Sequence, residues 1–307
     1  MISLSQNVHT LSHEVLNEMK KYYHAVLGKS PQGALFRAQT ENAVITAYNS
    51  GKVLFQGAHP EKEMIKWVKN NPSINTTNIT KDSNFKVKVL THSHIGSDES
   101  GTGDYFGPVT AAAVYITKEQ IPHLKEMGIQ DSKLIKDEDI LRLSKELIKL
   151  NIPYSLLVLH NEKYNTLQSN GWSQGKMKAM LHHHAINNVI EKTDKNMHEG
   201  IVIDQFCLPD VYKRYLASEK LSVHDKTIFM TKAEHHSISV AAASVIARAS
   251  FLMEMDILSK QSGYTLLKGA SKKVDQLIAK IKRDKGLEFL NSIAKVHFAN
   301  TDKANQY

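Results

Sequence analysis

At 307 residues the chain is longer than one average domain, and length alone suggests two. Its single cysteine, Cys207, excludes an internal disulfide and fits a reducing, cytosolic setting; no apolar run of bilayer length and no signal-peptide pattern argue for a membrane role. A formal net charge of +8 is compatible with a polyanionic partner without requiring one.

In chain order, "MISLSQNVHTLSHEVLNEMKKYY" reads as an amphipathic helix near residues 10 to 25 after a short polar start. "ALFRAQTENAVITAYNSGKVLFQG" alternates apolar and polar residues on both sides of Asn49-Ser50-Gly51, the pattern of a β-hairpin with a tight turn. In "PEKEMIKWVK", Met64, Ile65, Trp67 and Val68 are spaced for one side of a helix, which completes a small α+β unit. Residues 1–90 hold eleven Lys and Arg against six Asp and Glu, an excess of five positive charges. "NNPSINTTNITKDSN" is rich in Asn, Thr and Ser and poor in large apolar groups. It is the best linker, giving an N-terminal domain at 1–70, a linker at 71–84 and a second domain at 85–307.

From "FKVKVL" onward the pattern changes to strands separated by helices. "GPVTAAAVYI", "PYSLLVLH", "GIVIDQF" and "KTIFMTKAEHH" read as strands, and "DEDILRLSKELIKL", "WSQGKMKAMLHHHAINNVIEK" and "SVAAASVIARASFLMEMDIL" as helices. "KGASKKVDQLIAKIKRDKG" is a basic helical stretch near the C-terminus. An early meander followed by strands alternating with helices predicts an α/β domain, a mixed sheet flanked by helices.

Three strand ends in this domain carry acids. Asp98 and Glu99 open "IGSDESGTGDYFGPVTAAAVYI". Adjacent strand residues point to opposite faces, so two carboxylates sharing one site require the strand to end or distort there. Glycines at 101 and 103 supply that freedom. A hairpin with a solvated acidic tip is the plainer alternative. Asp204 closes the apolar run Ile201-Val202-Ile203, where a buried parallel strand delivers a ligand to its carboxyl end, or caps the turn that follows. Glu234 stands just before a helix whose small residues, Ser239 to Ser244, permit close approach to the sheet; a helix-dipole charge is its other reading.

Carboxylates clustered without a neighbouring Lys or Arg raise one another's pKa, and hard divalent ions relieve them. Two such ions suit in-line displacement at phosphorus, so a basic chain with an acidic centre makes a sensible phosphodiesterase. His182, His183 and His184 are consecutive on a helix and point about 100° apart, so they cannot share one metal.

"DESGTGDYFGP", "QDSKLI", "NGWSQGKMKAMLHHHA", "VIDQF", "AEHHSISVAAASVIARASF" and "KGASKKV...HFANT", in this order, resemble bacterial ribonuclease HIII, a type 2 ribonuclease H. "VITAYNSGKVLFQG" is similar to that family's N-terminal extension, which resembles the TATA-binding protein fold. The resemblance implies a ribonuclease H-like fold in a monomer that cuts the RNA strand of RNA/DNA hybrids with Mg²⁺ or Mn²⁺, leaving 3′-hydroxyl and 5′-phosphate ends. It assigns catalysis and metal binding to Asp98, Glu99, Asp204 and Glu234, with Asp225 as the alternative fourth acid. Gly101, Thr102 and Gly103 would meet the hybrid through backbone N–H groups, with Ser132, Lys133, Lys176 and Lys178 on its phosphates. A solvated helix face is the alternative for the lysines. Thr102 stands where ribonuclease HII has arginine, so efficient cutting at a single ribonucleotide embedded in DNA does not follow from the resemblance. The residues alone also leave open a nucleic-acid binding protein without catalysis and a metal nuclease acting on DNA.

Overall fold

A computed structural model describes residues 5–31, 33–49, 51–57, 59–68, 85–86, 88–129, 135–193 and 198–307. The chain divides into two compact units, Met1–Asp82 and Ser83–Tyr307. The linker expected at 71–84 lies outside the described residues.

The first unit is an antiparallel sheet of β1 (Ser5–Thr10), β2 (Leu27–Gly28), β3 (Ala34–Gln39), β4 (Val44–Tyr48) and β5 (Lys52–Gly57), in the order β1-β5-β4-β3-β2, with helices α1 (His13–Tyr22) and α2 (Pro60–Val68). The polar start expected before the first helix is instead strand β1, paired with β5 from Ser5↔Gly57 to Thr10↔Lys52. The helix begins only after Ser12, whose side chain accepts from the Val15 N–H and satisfies one of the free donors of the first turn. The expected hairpin is β4–β5, turning at Gly51 with φ +86°. Leu16, Met19, Phe36, Ile45, Val53 and Phe55 form the buried core of the unit. The Tyr23 hydroxyl donates to Glu63 at 2.8 Å and accepts from the Trp67 indole at 2.8 Å, tying the end of α1 to α2.

The second unit holds a mixed sheet of β6 (His94–Ser100), β7 (Val109–Ile116), β8 (Tyr154–Leu159), β9 (Ile201–Asp204) and β10 (Thr227–Met230), ordered β10-β9-β6-β7-β8. β6, β7 and β8 form an antiparallel meander, as expected in kind, but its first strand is His94–Ser100 and not "FKVKVL"; β9 and β10 run parallel to β6. Helices α3 (Gln120–Glu126), α4 (Asp137–Lys149), α5 (Asn161–Ser169), α6 (Gln174–Lys192), α7 (Pro209–Ala217), α8 (Ile238–Ser262), α9 (Lys272–Ile293) and α10 (Asn300–Lys303) complete it.

"FKVKVL" departs from the strand pattern: residues 85–86 and 88–91 are helical. Val89 is buried against Val202, Ile228, Ala233 and Val240, with Phe85 and Leu90 packed beside it. Phe85 and Val89 are four apart, so a helix brings both to one face where a strand would also need a partner edge. The strand expected across "KTIFMTKAEHH" stops at Met230, and Ala233–His235 form a 3₁₀ turn. The basic C-terminal helix extends through Gly286, a kink with φ +84°.

Helix α8 passes for a membrane span by length and composition, contrary to the expectation that no such run exists. In this fold it is the core helix, with 78% of its most apolar window buried. Its closeness to the sheet is set by Gly96 on β6, where an added Cβ would stand 2.2 Å from Val240 N and 2.3 Å from Ser239 C. Thr110 on β7 donates its hydroxyl to Ala247 O at 2.8 Å, and Ser239 donates to His94 O at 3.0 Å.

Candidate active site

Strand β6 keeps its regular register through the acidic pair and ends one residue later, at Ser100. It stays in register with β7 through Asp98↔Ala112, Glu99↔Ala111 and Ser100↔Thr110. The alternation therefore holds, and the two carboxylates leave on opposite sides of the sheet. Asp98 meets Ser244 of α8, while Glu99 meets Lys178 and His182 of α6. They share a site because both lie at the carboxyl end of β6, beside the carboxyl end of parallel β9, where Asp204 stands one residue past the Ser97↔Ile203 pair. The solvated-tip alternative fails, since Asp98 is only 7% exposed.

Burial, followed by the charges of Glu99 and Asp204, pushes Asp98 well above the usual carboxylate range; the Ser244 hydroxyl and the Glu99 N–H, which donates to Oδ1 at 2.8 Å, oppose this. Burial would also raise Glu99. There the hydrogen bond and charge of His182, joined by Lys178, outweigh it and hold the group at about 2. Lys178 Nζ is 2.5 Å from Oε1, and His182 Nε2–H donates to Oε2 at 2.7 Å. The premise of carboxylates lacking a cation is thus corrected: Lys178 and His182, one turn apart on α6, supply it.

Asp204 also fills its alternative role, with Oδ1 accepting from Ala233 N–H at 2.9 Å. Lys232, in the left-handed region at φ +54°, turns the chain to aim that N–H. The same turn carries Glu234, buried at 6% exposure, to the end of the sheet that holds Asp204. Asp225 sits at the opposite end of β10, on a cavity with Asn187, Glu191, His198, His224 and Lys226. The geometry thus favours Glu234 over Asp225 as the fourth acid.

Hard carboxylate oxygens and mutual repulsion at Asp98 suit a divalent ion such as Mg²⁺ or Mn²⁺. Among the described residues no three His, Cys, Asp or Glu side chains converge to enclose an ion.

The ribonuclease HII family profile matches residues 95–301, and a domain of unknown function, DUF3378, matches residues 6–81. The ribonuclease HIII of Oceanobacillus iheyensis is 55% identical over 306 residues, covering 99% of both chains. That of Bacillus subtilis (strain 168) is 46% identical over 308 residues, 99% of this chain and 98% of the other. The chain belongs to the ribonuclease HIII family. The solved structure of Bst-RNase HIII in complex with Mn²⁺ is similar with a TM-score of 0.69 at 39% identity, covering 98% of each chain. The structure of the Aquifex aeolicus ribonuclease H3 shares the fold, with a TM-score of 0.55 at 22% identity.

Of the other residues expected to serve a ribonuclease HIII site, Gly101 has φ +85° and packs where a Cβ would stand 2.3 Å from Pro108 O and 2.7 Å from the Phe251 ring. Its glycine is needed for packing, whereas space around Gly103 is open. The Thr102 carbonyl accepts from Gln174 Nε2 at 3.0 Å. Lys176 is paired with Glu219 at 2.5 Å and lies over the Trp172 ring, and Lys178 is 12% exposed and committed to Glu99. Neither is the solvated lysine the sequence allowed: Lys176 is paired with Glu219 and Lys178 with Glu99. Ser132 and Lys133 lie outside the described residues.

Two residues beside these acids go beyond the sequence reading. His182 stands there only as one of three consecutive histidines, yet its i+4 spacing from Lys178 is the signal that places both on one helix face. Lys295 is fully buried and donates to Asp104 O at 2.8 Å and Gly107 O at 2.5 Å, fastening the turn after the acids. No local pattern in "AKVHFANT" announces that.

Proposed function

We infer that this chain is an endoribonuclease that hydrolyses the RNA strand of RNA/DNA hybrids with a divalent metal, Mg²⁺ or Mn²⁺, leaving 3′-hydroxyl and 5′-phosphate ends. The observation that carries it is the meeting of Asp98, Glu99 and Asp204 at one end of the sheet in a chain 55% identical to a ribonuclease HIII over its length.

Asp98, Glu99, Asp204 and Glu234 would hold the metal. A divalent ion there would supply activation of the attacking water and stabilisation of the leaving oxygen. The chain's own residues prepare that chemistry. Lys178 and His182 keep Glu99 ionised. Ser244 orients Asp98, and the Ala233 N–H fixes the Asp204 carboxylate. The open space around Gly103 supports its approach to the hybrid backbone, with Thr102 held in place through its carbonyl. Lys176, Ser132 and Lys133 are assigned to its phosphates. The N-terminal unit is assigned as the hybrid-holding domain, a reading supported by its excess of three positive charges over residues 1–82. We assign the chain as a monomer of the cytoplasm acting away from membranes; a lone, unpaired Cys207 fits that reducing setting.

The test is cleavage of a labelled RNA/DNA hybrid beside duplex DNA and duplex RNA, with Mg²⁺ or Mn²⁺ and after chelation. Metal-dependent cutting of the RNA in the hybrid alone is expected. Cutting of duplex DNA, or binding without cutting, would replace this reading.

A further inference from the structure

Strand alternation places Ser97 and Glu99 on the same face of β6, two residues apart, with Asp98 between them on the other face. One imidazole spans the pair. His182 Nε2 meets Glu99 Oε2 at 2.7 Å, and Nδ1 meets Ser97 Oγ at 2.7 Å; Ser97 is itself anchored by its hydroxyl on Ala112 O at 2.9 Å. The ring is fully buried and stacked on Phe206, centroids 5.3 Å apart at 27°. A buried histidine with a purely structural task can use a backbone partner, as His94 does through His92 O at 2.7 Å. His182 uses neither nitrogen that way. Both are aimed at side chains of the strand that carries the acidic pair.

Lys178 cannot do this work alone. An ammonium on a flexible four-carbon stem supplies charge with little directional control, whereas a planar ring held at both nitrogens and one face fixes a rotamer. We propose that His182 is a positioning residue that sets the Glu99 carboxylate for the metal and thereby for cleavage. The proposal rests on the reading of Asp98, Glu99, Asp204 and Glu234 as the metal-holding acids.

The full-length chain is the material for the test, with three readouts: Mn²⁺ affinity by calorimetry without substrate, steady-state cleavage of an RNA/DNA hybrid, and thermal unfolding. His182→Asn retains an amide near the Nδ1 position but is too short for Glu99. It is expected to lower kcat and weaken Mn²⁺ binding by about 10- to 100-fold each, as loss of an outer partner of a ligand does, with KM for the hybrid nearly unchanged. His182→Gln reaches further and should recover part of both losses. A His182→Asn protein that folds and keeps wild-type kcat and Mn²⁺ affinity overturns the proposal. Should that variant not fold, Ser97→Ala carries the test, since it leaves the Glu99 contact but frees the ring; a fall in kcat and Mn²⁺ affinity at constant KM supports the role, and no change in either overturns it. Glu99→Gln is run alongside. If it is inactive while His182→Asn is fully active, only the positioning role fails. If Glu99→Gln cleaves and binds Mn²⁺ like the wild type, the reading of the site fails and the proposal with it.

Discussion

Asp204 fixes a turn with the carboxylate that is proposed to hold the metal, which makes it a clean position for separating the two roles. Asn at 204 still offers an oxygen to the Ala233 N–H, so Asp204→Asn should fold and bind hybrid while kcat falls by more than about 100-fold. Full Mg²⁺-dependent cleavage by that variant would remove Asp204 from the site. Glu234→Gln should behave in the same way, and Asp225→Asn, at the far end of β10, should cleave normally; the opposite pair of results would exchange the fourth acid. Lys295 supplies a prediction about pH. Burial, against the opposing charge of Asp104, pushes its ammonium down to about 7 from an ordinary value near 10.5. Between those values the unfolded chain binds a proton that the folded chain does not, so stability rises with pH over that window. Lys295→Met leaves the Asp104 and Gly107 carbonyls short of a donor at a cost of about 1–3 kcal/mol. Urea unfolding should show a larger deficit at pH 9.5 than at pH 6, where the wild type must bury a charged lysine. A deficit that grows on acidification would show that the amine is charged at no cost.

The pairing of β6 with α8 is the element on which the site depends. Small residues on the helix and Gly96 on the strand let the two backbones approach until there is no room for a methyl group. That closeness brings Ser244 to Asp98 and the turn bearing Glu234 to the end of β9. Gly96→Ala is therefore expected to destabilise the fold by about 3 kcal/mol or more, because the atoms in the way belong to backbone and cannot swing aside. A melting temperature equal to the wild type would show that α8 can retreat from the sheet at little cost. On the other side of β6, the i,i+4 pair Lys178 and His182 does for Glu99 what Ser244 does for Asp98. An adjacent acidic pair thus needs a helix on each face of its strand.

At the scale of the molecule the chain is two compact units, Met1–Asp82 and Ser83–Tyr307. The first carries nine Lys and Arg against six Asp and Glu, three of the net +8, and the four acids proposed to hold the metal all lie in the second. Phosphate contacts release counterions, so each one lost flattens the logarithmic salt dependence of binding by about 0.9 for a duplex. A chain beginning at Phe85 should bind hybrid more weakly, show the shallower salt dependence, and still cleave at saturating substrate. Equal affinity and an equal salt slope in a folded truncated protein would remove the binding role from the N-terminal unit.

The sequence by itself determined the layered α/β plan, the hairpin at Gly51, the apolar strand ending in Asp204 and the small-residue helix, because each follows from a local period or from a residue type with a restricted role. Asp204 was legible as a charge at the end of an apolar run, and Asp98 and Glu99 as an adjacent acidic pair followed by glycines. The tertiary structure alone decided the rest. "FKVKVL" alternates like a strand, yet Val89 found its core as part of a helix. Lys178 reads as a solvated cation until the packing of α6 on β6 turns it onto Glu99. Glu234 and Asp225 flank one short strand and differ only in which end the fold turns toward β9. His182 and Lys295 act on β6 and on the turn after it from positions far along the chain, and local periodicity carries no information about contacts that only close packing creates.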